Sequence, residues 1–118
     1  MIQKIKGVNI LYKLFLVDDE IWVIRGLMKM IPWEELGFEI VYTTTDSIRA
    51  LEKIALLKPD AVITDIRMAS LNGLELLEQS LHMGKERPEF ILISVYEEFE
   101  YAHKALKLGA FDYLIKPL

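Results

Sequence analysis

No cysteine occurs among the 118 residues, which excludes disulfides, thiolate zinc sites and cysteine nucleophiles. Basic charge is also in short supply. Lys and Arg number 14 against 18 Asp and Glu, a formal net charge of −4, whereas a broad grip on nucleic acid calls for a basic face. Histidine occurs only twice. His82 and His103 fall on separate predicted helices with no acid partner in register, so both read as exposed helix positions rather than catalytic groups. No apolar run approaches the roughly 18 residues of a membrane span. The N-terminus lacks the charged start, long apolar stretch and small-residue cleavage site of a secretory leader. The expectation is a cytoplasmic globular chain without a membrane segment. This length suits one domain, and 53% apolar residues supply a single core.

Hydrophobic periodicity divides the chain. Lys13 to Val17 reads as a buried strand running into Asp18-Asp19-Glu20. Ile24, Leu27, Met28 and Ile31 keep the spacing of one helical face until Pro32 stops it, and Gly37 marks a turn. Trp22, Trp33, Met28 and Met30 read as packing at the end of that helix. Phe38 to Thr44, rich in β-branched and aromatic residues, predicts a second strand. Asp46 or Ser47 caps a second helix with the stripe Leu51, Ile54 and Ala55, ended by Lys58-Pro59. Ala61 to Thr64 is a short strand ending at Asp65, and a loop follows through Asn72-Gly73. Leu74, Leu77 and Leu81 mark a third helix, and Phe90 to Ile93 a strand ending at Ser94. Glu97 to Leu108 predicts a fourth helix with Phe99, Ala102 and Leu106 on one face and Gly109 at its C-terminal cap. Phe111 to Ile115 is a fifth strand, ending at Lys116-Pro117. Residues 1–12 read as an extension and 13–118 as the domain. Such β-α alternation implies a parallel sheet with helices on both faces. Three of the five strands are unbroken apolar runs, as a sheet buried on both sides requires.

The strands end in Asp18-Asp19, Asp65, Ser94 and Lys116. Ligands of open α/β sheets bind at the carboxyl ends of the strands, so residues far apart in sequence meet there. Three carboxylates repel one another unless a cation and an ammonium group hold them. Oxygen ligands without His or Cys select Mg²⁺ over zinc, and Lys116 adds fixed positive charge. A carboxylate can attack phosphorus, with Mg²⁺ neutralising the phosphoryl oxygens and a hydroxyl and a lysine holding the rest. Asp65, one of the acidic pair, Ser94 and Lys116 supply each part once. Each residue has an ordinary reading by itself: acids at a helix start, a loop cap, a strand end, a surface turn. The combination points to phosphoryl chemistry.

These residues resemble the receiver domain of bacterial two-component response regulators over about residues 13–118. The resemblance rests on Leu16-Val17-Asp18-Asp19-Glu20, Val62-Ile63-Thr64-Asp65-Ile66-Arg67-Met68, Asn72-Gly73-Leu74-Glu75 and Gly109-Ala110-Phe111-Asp112-Tyr113-Leu114-Ile115-Lys116-Pro117. Ile31-Pro32-Trp33 with Gly37-Phe38, and Tyr96-Glu97-Glu98-Phe99-Glu100-Tyr101-Ala102, resemble a narrower group in which an AraC-type helix-turn-helix DNA-binding domain follows. The resemblance implies a doubly wound five-stranded parallel sheet of order 2-1-3-4-5. It implies Asp65 as phosphoacceptor from a sensor histidine kinase, Asp19 as a direct Mg²⁺ ligand, and Asp18 as a ligand directly or through water. The backbone carbonyl of Arg67 is then a further ligand, Ser94 and Lys116 hold the phosphoryl group, and Tyr113 moves inward as Ser94 shifts. It also implies a cis Lys116-Pro117 bond, no enzyme activity beyond the domain's own phosphorylation and dephosphorylation, and DNA contact only through an output domain. A homodimer is implied through the fourth helix, fifth strand and fifth helix.

Two positions depart from the family pattern. Ala69 stands where proline is frequent, which leaves that loop's backbone freer, and Val95 where Ala or Gly is usual. Both hint at the alternative of a pseudo-receiver, the same fold used as an interaction module without phosphorylation. Arg67, Tyr96 and Val95 are expected to crowd the site rim and slow hydrolysis. A haloacid-dehalogenase-type phosphohydrolase resembles Asp-x-Asp after the first strand; here the acids are adjacent, with Glu20 third. A flavodoxin-like cofactor binder needs a Ser/Thr/Gly-rich phosphate loop where this chain has Asp-Asp-Glu. The family continues into a fifth helix beyond Lys-Pro, whereas this sequence stops at Leu118. Phe111, Tyr113 and Ile115 are therefore expected to share a bare sheet face, covered by a second copy or by the segment of Ile2, Ile5, Val8 and Ile10.

Overall fold

The computed structural model describes residues 3–5, 8–94 and 99–116. Strands β1 (Gln3–Ile5) and β2 (Val8–Ile10) pair antiparallel in a two-stranded sheet of their own. The domain then runs β3 (Tyr12–Val17), α1 (Ile21–Met30), β4 (Phe38–Thr44), α2 (Ser47–Leu57), β5 (Ala61–Asp65), α3 (Gly73–Ser80), a 3-10 turn (Leu81–Glu86), β6 (Glu89–Ser94), α4 (Phe99–Lys107) and β7 (Asp112–Ile115). The five strands from β3 onward are all parallel, in the order β4-β3-β5-β6-β7. Counted from β3, that is the expected 2-1-3-4-5.

Register explains the unbroken apolar strands. Neighbouring residues point to opposite faces, and residues paired across a parallel ladder share one. Leu14, Leu16, Ile63 and Ile93 pack with Ile24 and Leu27 of α1. Phe15, Val17, Val62, Phe90 and Leu92 pack on the other side with Ala50 and Ile54 of α2, Leu74 and Leu77 of α3, and Ala105 of α4.

The helix ends follow local chemistry. The Trp33 indole Nε1 donates to the Leu27 carbonyl at 2.9 Å, satisfying a carbonyl near the end of α1, and the ring meets Phe38 edge-on at 6.2 Å. Trp22 and Met30 do not join that packing; they are 74% and 73% exposed, because the helix turns only Ile24 and Leu27 fully inward. Asp46 caps α2 by accepting from the Ile48 and Arg49 amides. Ser47 lies just inside α2, where its buried hydroxyl accepts from the Leu71 amide at 2.8 Å. The stripe of α2 is Ala50 with Ile54, and Ala55 is exposed. On α4 the inward residue is Ala105, whereas Leu106 is 54% exposed. Steps of three and four from Ala102 both fit a helical face, and the helix turns the smaller residue to the sheet. Gly109 ends α4 with φ 96°, the left-handed cap that glycine takes without strain.

The last strand corrects one expectation. Tyr113 pairs with Leu92, and Leu114 with Ile93. Tyr113 therefore lies on the side that α4 covers, half-buried against the core, while Leu114, 38% exposed, faces the α1 side. Among the described residues, the N-terminal strands form a sheet separate from the larger one. Ile2, Val95, Tyr96, Glu97 and the Lys116-Pro117 bond lie outside the described residues.

The turn after β5 enters α3 through a capping box. The Asn72 side chain accepts from the Glu75 amide at 2.8 Å, and the Glu75 carboxylate accepts from the Asn72 amide at 3.0 Å. Asn72→Ala removes the side-chain half of this pair and is expected to cost about 1 kcal/mol of stability, read as a lower urea midpoint with an unchanged slope.

Candidate functional site

Parallel strands deliver their carboxyl ends to one edge of the sheet. Val17 pairs with Thr64 and Asp65 with Ile93, so Asp18 and Asp65 emerge side by side. Ser94 pairs with Ile115, so Lys116 follows one step later on the outer strand. The Lys116 ammonium Nζ lies 2.8 Å from Asp18 Oδ2 and 3.5 Å from Asp65 Oδ2. All three side chains are sheltered, with relative exposures of 11%, 2% and 10% respectively. Asp19 is exposed, yet carboxylate oxygens of Asp18, Asp19 and Asp65 all lie within 4.8 Å of one another.

The backbone holds these groups in place. Asp18 Oδ1 accepts from the Glu20 amide at 2.9 Å. The Thr64 hydroxyl donates to the Asp65 carbonyl at 3.0 Å. The Ile66 amide donates to the Ile93 carbonyl at 3.1 Å, and the Gly73 amide to the Ile66 carbonyl at 2.8 Å. Gly73 must come this close: a Cβ there would stand 2.5 Å from the Asp65 carbonyl oxygen. The Lys116 amide donates to the Ser94 carbonyl at 2.7 Å, tying the lysine to the strand that ends in the serine.

Charge is unbalanced here. Burial, then the negative charge of Asp18, push the Asp65 carboxyl above its ordinary value; Lys116 pulls it down and Asp19 pushes it up again, with a net rise. Burial would lower the Lys116 ammonium, but its hydrogen bond to Asp18 and the charges of Asp18 and Asp65 outweigh that and raise it. Three carboxylates against one ammonium leave excess negative charge on hard oxygen donors. That donor set fits a small divalent cation such as Mg²⁺.

Asp18, Asp19, Asp65 and Lys116 thus converge. Ser94 is fully buried at the end of the neighbouring strand, on the same sheet side as Tyr113, two residues before its pairing partner Ile115. Arg67 is exposed, its guanidinium carbon 5.5 Å from the centre of the Tyr101 ring. His82 and His103 are both exposed and stand apart from the cluster. Sequence reading passed over the Thr64 hydroxyl, the contact of Gly73 and the ring of Tyr101. Only Asn72-Gly73 carried a signal, as a turn dipeptide rather than a close approach.

The chain matches the response regulator receiver domain family over residues 14–118. It is 39% identical over 108 residues to an uncharacterized response regulatory protein of Staphylococcus epidermidis, an overlap of 92% of this chain and 42% of that protein. It is 37% identical over 108 residues to the transcriptional regulatory protein HptR of Staphylococcus aureus, with the same coverage of 92% and 42%. The chain therefore spans less than half the length of these curated relatives. Among solved structures, the REC domain of AraT, a response regulator from Geobacillus stearothermophilus, matches with TM-score 0.81 and 31% identity, covering 92% of this chain and 83% of that one. No helix among the described residues is long and apolar enough to cross a membrane.

The raised Asp65 carboxyl has a measurable cost in metal-free protein. The folded state binds the Asp65 proton more tightly than the unfolded chain does. Stability is accordingly lost as pH rises from the unfolded carboxyl value, about 3.9, through the folded one. In chelator, Asp65→Asn is expected to melt above the parent at pH 7, with the advantage vanishing below about pH 3.9. Thermal melts across pH measure this; equal melting at pH 7 would mean that burial and the neighbouring acids do not disfavour the carboxylate.

Proposed function

The chain belongs to the response regulator receiver domain family, and on that premise we propose that it is a Mg²⁺-dependent switch that accepts a phosphoryl group on Asp65. The observation that carries the reading is the convergence of the Asp18, Asp19 and Asp65 carboxylates within 4.8 Å, with Lys116 Nζ bridging Asp18 and Asp65 at 2.8 and 3.5 Å. The donor is a phosphohistidine on a sensor histidine kinase. A carboxylate oxygen of Asp65 bonds to phosphorus as the phosphorus–nitrogen bond breaks, and the histidine nitrogen keeps the electron pair.

Asp19, Asp18 directly or through water, the Asp65 carboxylate and the backbone carbonyl of Arg67 would hold the Mg²⁺. Bound there, Mg²⁺ neutralises the nucleophile and the phosphoryl oxygens. Lys116, already between two carboxylates, transfers its attraction to the phosphoryl group, and the Ser94 hydroxyl donates to another phosphoryl oxygen. Ser94 and Tyr113 share the sheet side under α4, so a shift of Ser94 opens space for the ring to follow. The readout is transcriptional, in the cytoplasm, through a DNA-binding output domain, with a second copy of the chain as partner in the switched state. Chemistry is confined to the domain's own phosphorylation and dephosphorylation, with no turnover of a separate substrate.

Incubation with acetyl phosphate and Mg²⁺ is expected to add one phosphoryl group to the parent and none to Asp65→Asn, read by intact mass. Equal labelling of the Asn variant would overturn the assignment of Asp65. A parent that binds Mg²⁺ but stays unlabelled would instead favour the interaction-module alternative. Asp19→Ala is expected to weaken Mg²⁺ binding more than Asp18→Ala, because Asp19 is the direct ligand; titration of each variant checks the order.

A further inference from the structure

We propose that Tyr101 is a positioning residue for the metal-binding turn after β5: its ring holds Arg67, so that the seating of α4 and the affinity of the acidic cluster for Mg²⁺ are linked. The inference rests on the Mg²⁺ site proposed above.

The turn is anchored on either side of Arg67. Ile66 is buried, with its amide bonded to Ile93 and its carbonyl to Gly73. Met68 packs half-buried against the core, its sulfur 3.9 Å from the Thr64 hydroxyl. Arg67 between them points outward, and its guanidinium lies 5.5 Å from the Tyr101 ring centre, within the range of a cation–π attraction. Tyr101 itself packs against the core from the first turn of α4. The other end of the helix is held as well. Arg87 Nη1 lies 3.5 Å from the Leu108 carbonyl, and Nη2 lies 2.8 Å from where a Cβ on Gly109 would stand. Thus α4 is tied at its C-terminal end to the segment before β6 and at its first turn to the segment after β5.

The side chain that Tyr101 holds and the carbonyl assigned to the cation belong to the same residue. Fixing the guanidinium over the ring narrows the range of conformations open to Arg67, backbone included. Such pre-organisation lowers the cost of ordering the turn when a cation binds. By linkage, a cation bound at the carboxylates steadies α4 by the same factor. An exposed cation–π pair corresponds to about a two- to fivefold change in affinity.

The test is Mg²⁺ titration by calorimetry on the full chain, in the parent, Tyr101→Leu, Tyr101→Phe, Arg67→Ala and the Arg67→Ala/Tyr101→Leu double variant. Tyr101→Leu is expected to weaken Mg²⁺ binding about two- to fivefold, Tyr101→Phe to retain it, and Tyr101→Leu to add nothing once Arg67 is alanine. Hydrogen exchange supplies the reciprocal readout: Mg²⁺ slows exchange in α4 of the parent and does so less in Tyr101→Leu. An equal loss from Tyr101→Leu with and without Arg67, or no loss at all, would overturn the inference, since the ring would then act through core packing or not act. A parent that binds no Mg²⁺ defeats the functional reading itself; a parent that binds without this coupling defeats the inference alone.

Discussion

Like charge crowded onto the carboxyl edge of a buried parallel sheet is the constraint that orders this molecule. The fold places the Asp18 and Asp65 carboxylates side by side, largely out of water, with Asp19 close by. Water cannot relieve the repulsion, because burial is itself the largest influence disfavouring the Asp65 charge. Lys116 relieves part of it by standing between two of the three acids. The remaining negative charge is a standing demand for a cation, and it makes the neighbourhood of Asp65 respond to any change in charge there.

A charge imbalance acts on the rest of a protein only through atoms that are firmly connected. Here the connections are mostly backbone. The Asp65 carbonyl is bounded by the Thr64 hydroxyl and by the bare Cα of Gly73. The peptide of Lys116 hangs from the Ser94 carbonyl, so a pull on the ammonium group is also a pull on the end of β6. Ser94 and Tyr113 lie on the same side of the sheet, where α4 is packed. The groups that sense charge and the helix on the surface are therefore separated by few, short and well-packed links.

Much of this was legible in the sequence because a parallel sheet obeys simple rules. Apolar runs such as Ala61 to Thr64 announce strands buried on both faces, and strand ends must converge at one edge, which was enough to gather Asp18, Asp19, Asp65 and Lys116. Finer placement needs tertiary information. Helical periodicity tolerates a step of three or four, so it could not distinguish Ala105 from Leu106 after Ala102, or Ile54 from Ala55 after Leu51. The apolar character of Trp22 and Met30 did not reveal that α1 turns them outward. Alternation along β7 correctly separated Tyr113 from Leu114, but only the pairing of Tyr113 with Leu92 shows which of the two lies under α4. Gly73 is the clearest case: as a letter it signals a turn, and only the position of the Asp65 carbonyl reveals the contact it must permit.

The ion pair between Lys116 and Asp18 joins residues 98 positions apart, and that with Asp65 spans 51. Contacts of such separation are the entropically costly ones to close, and they form only once the intervening chain has been arranged. Asp18 and Asp65 emerge from the ribosome 98 and 51 residues before their counter-charge. A nascent or partly folded chain thus carries the acids without the lysine that accompanies them in the finished sheet. Competence at the site is accordingly a property of the completed domain: the step that brings in the last strand also assembles the chemistry.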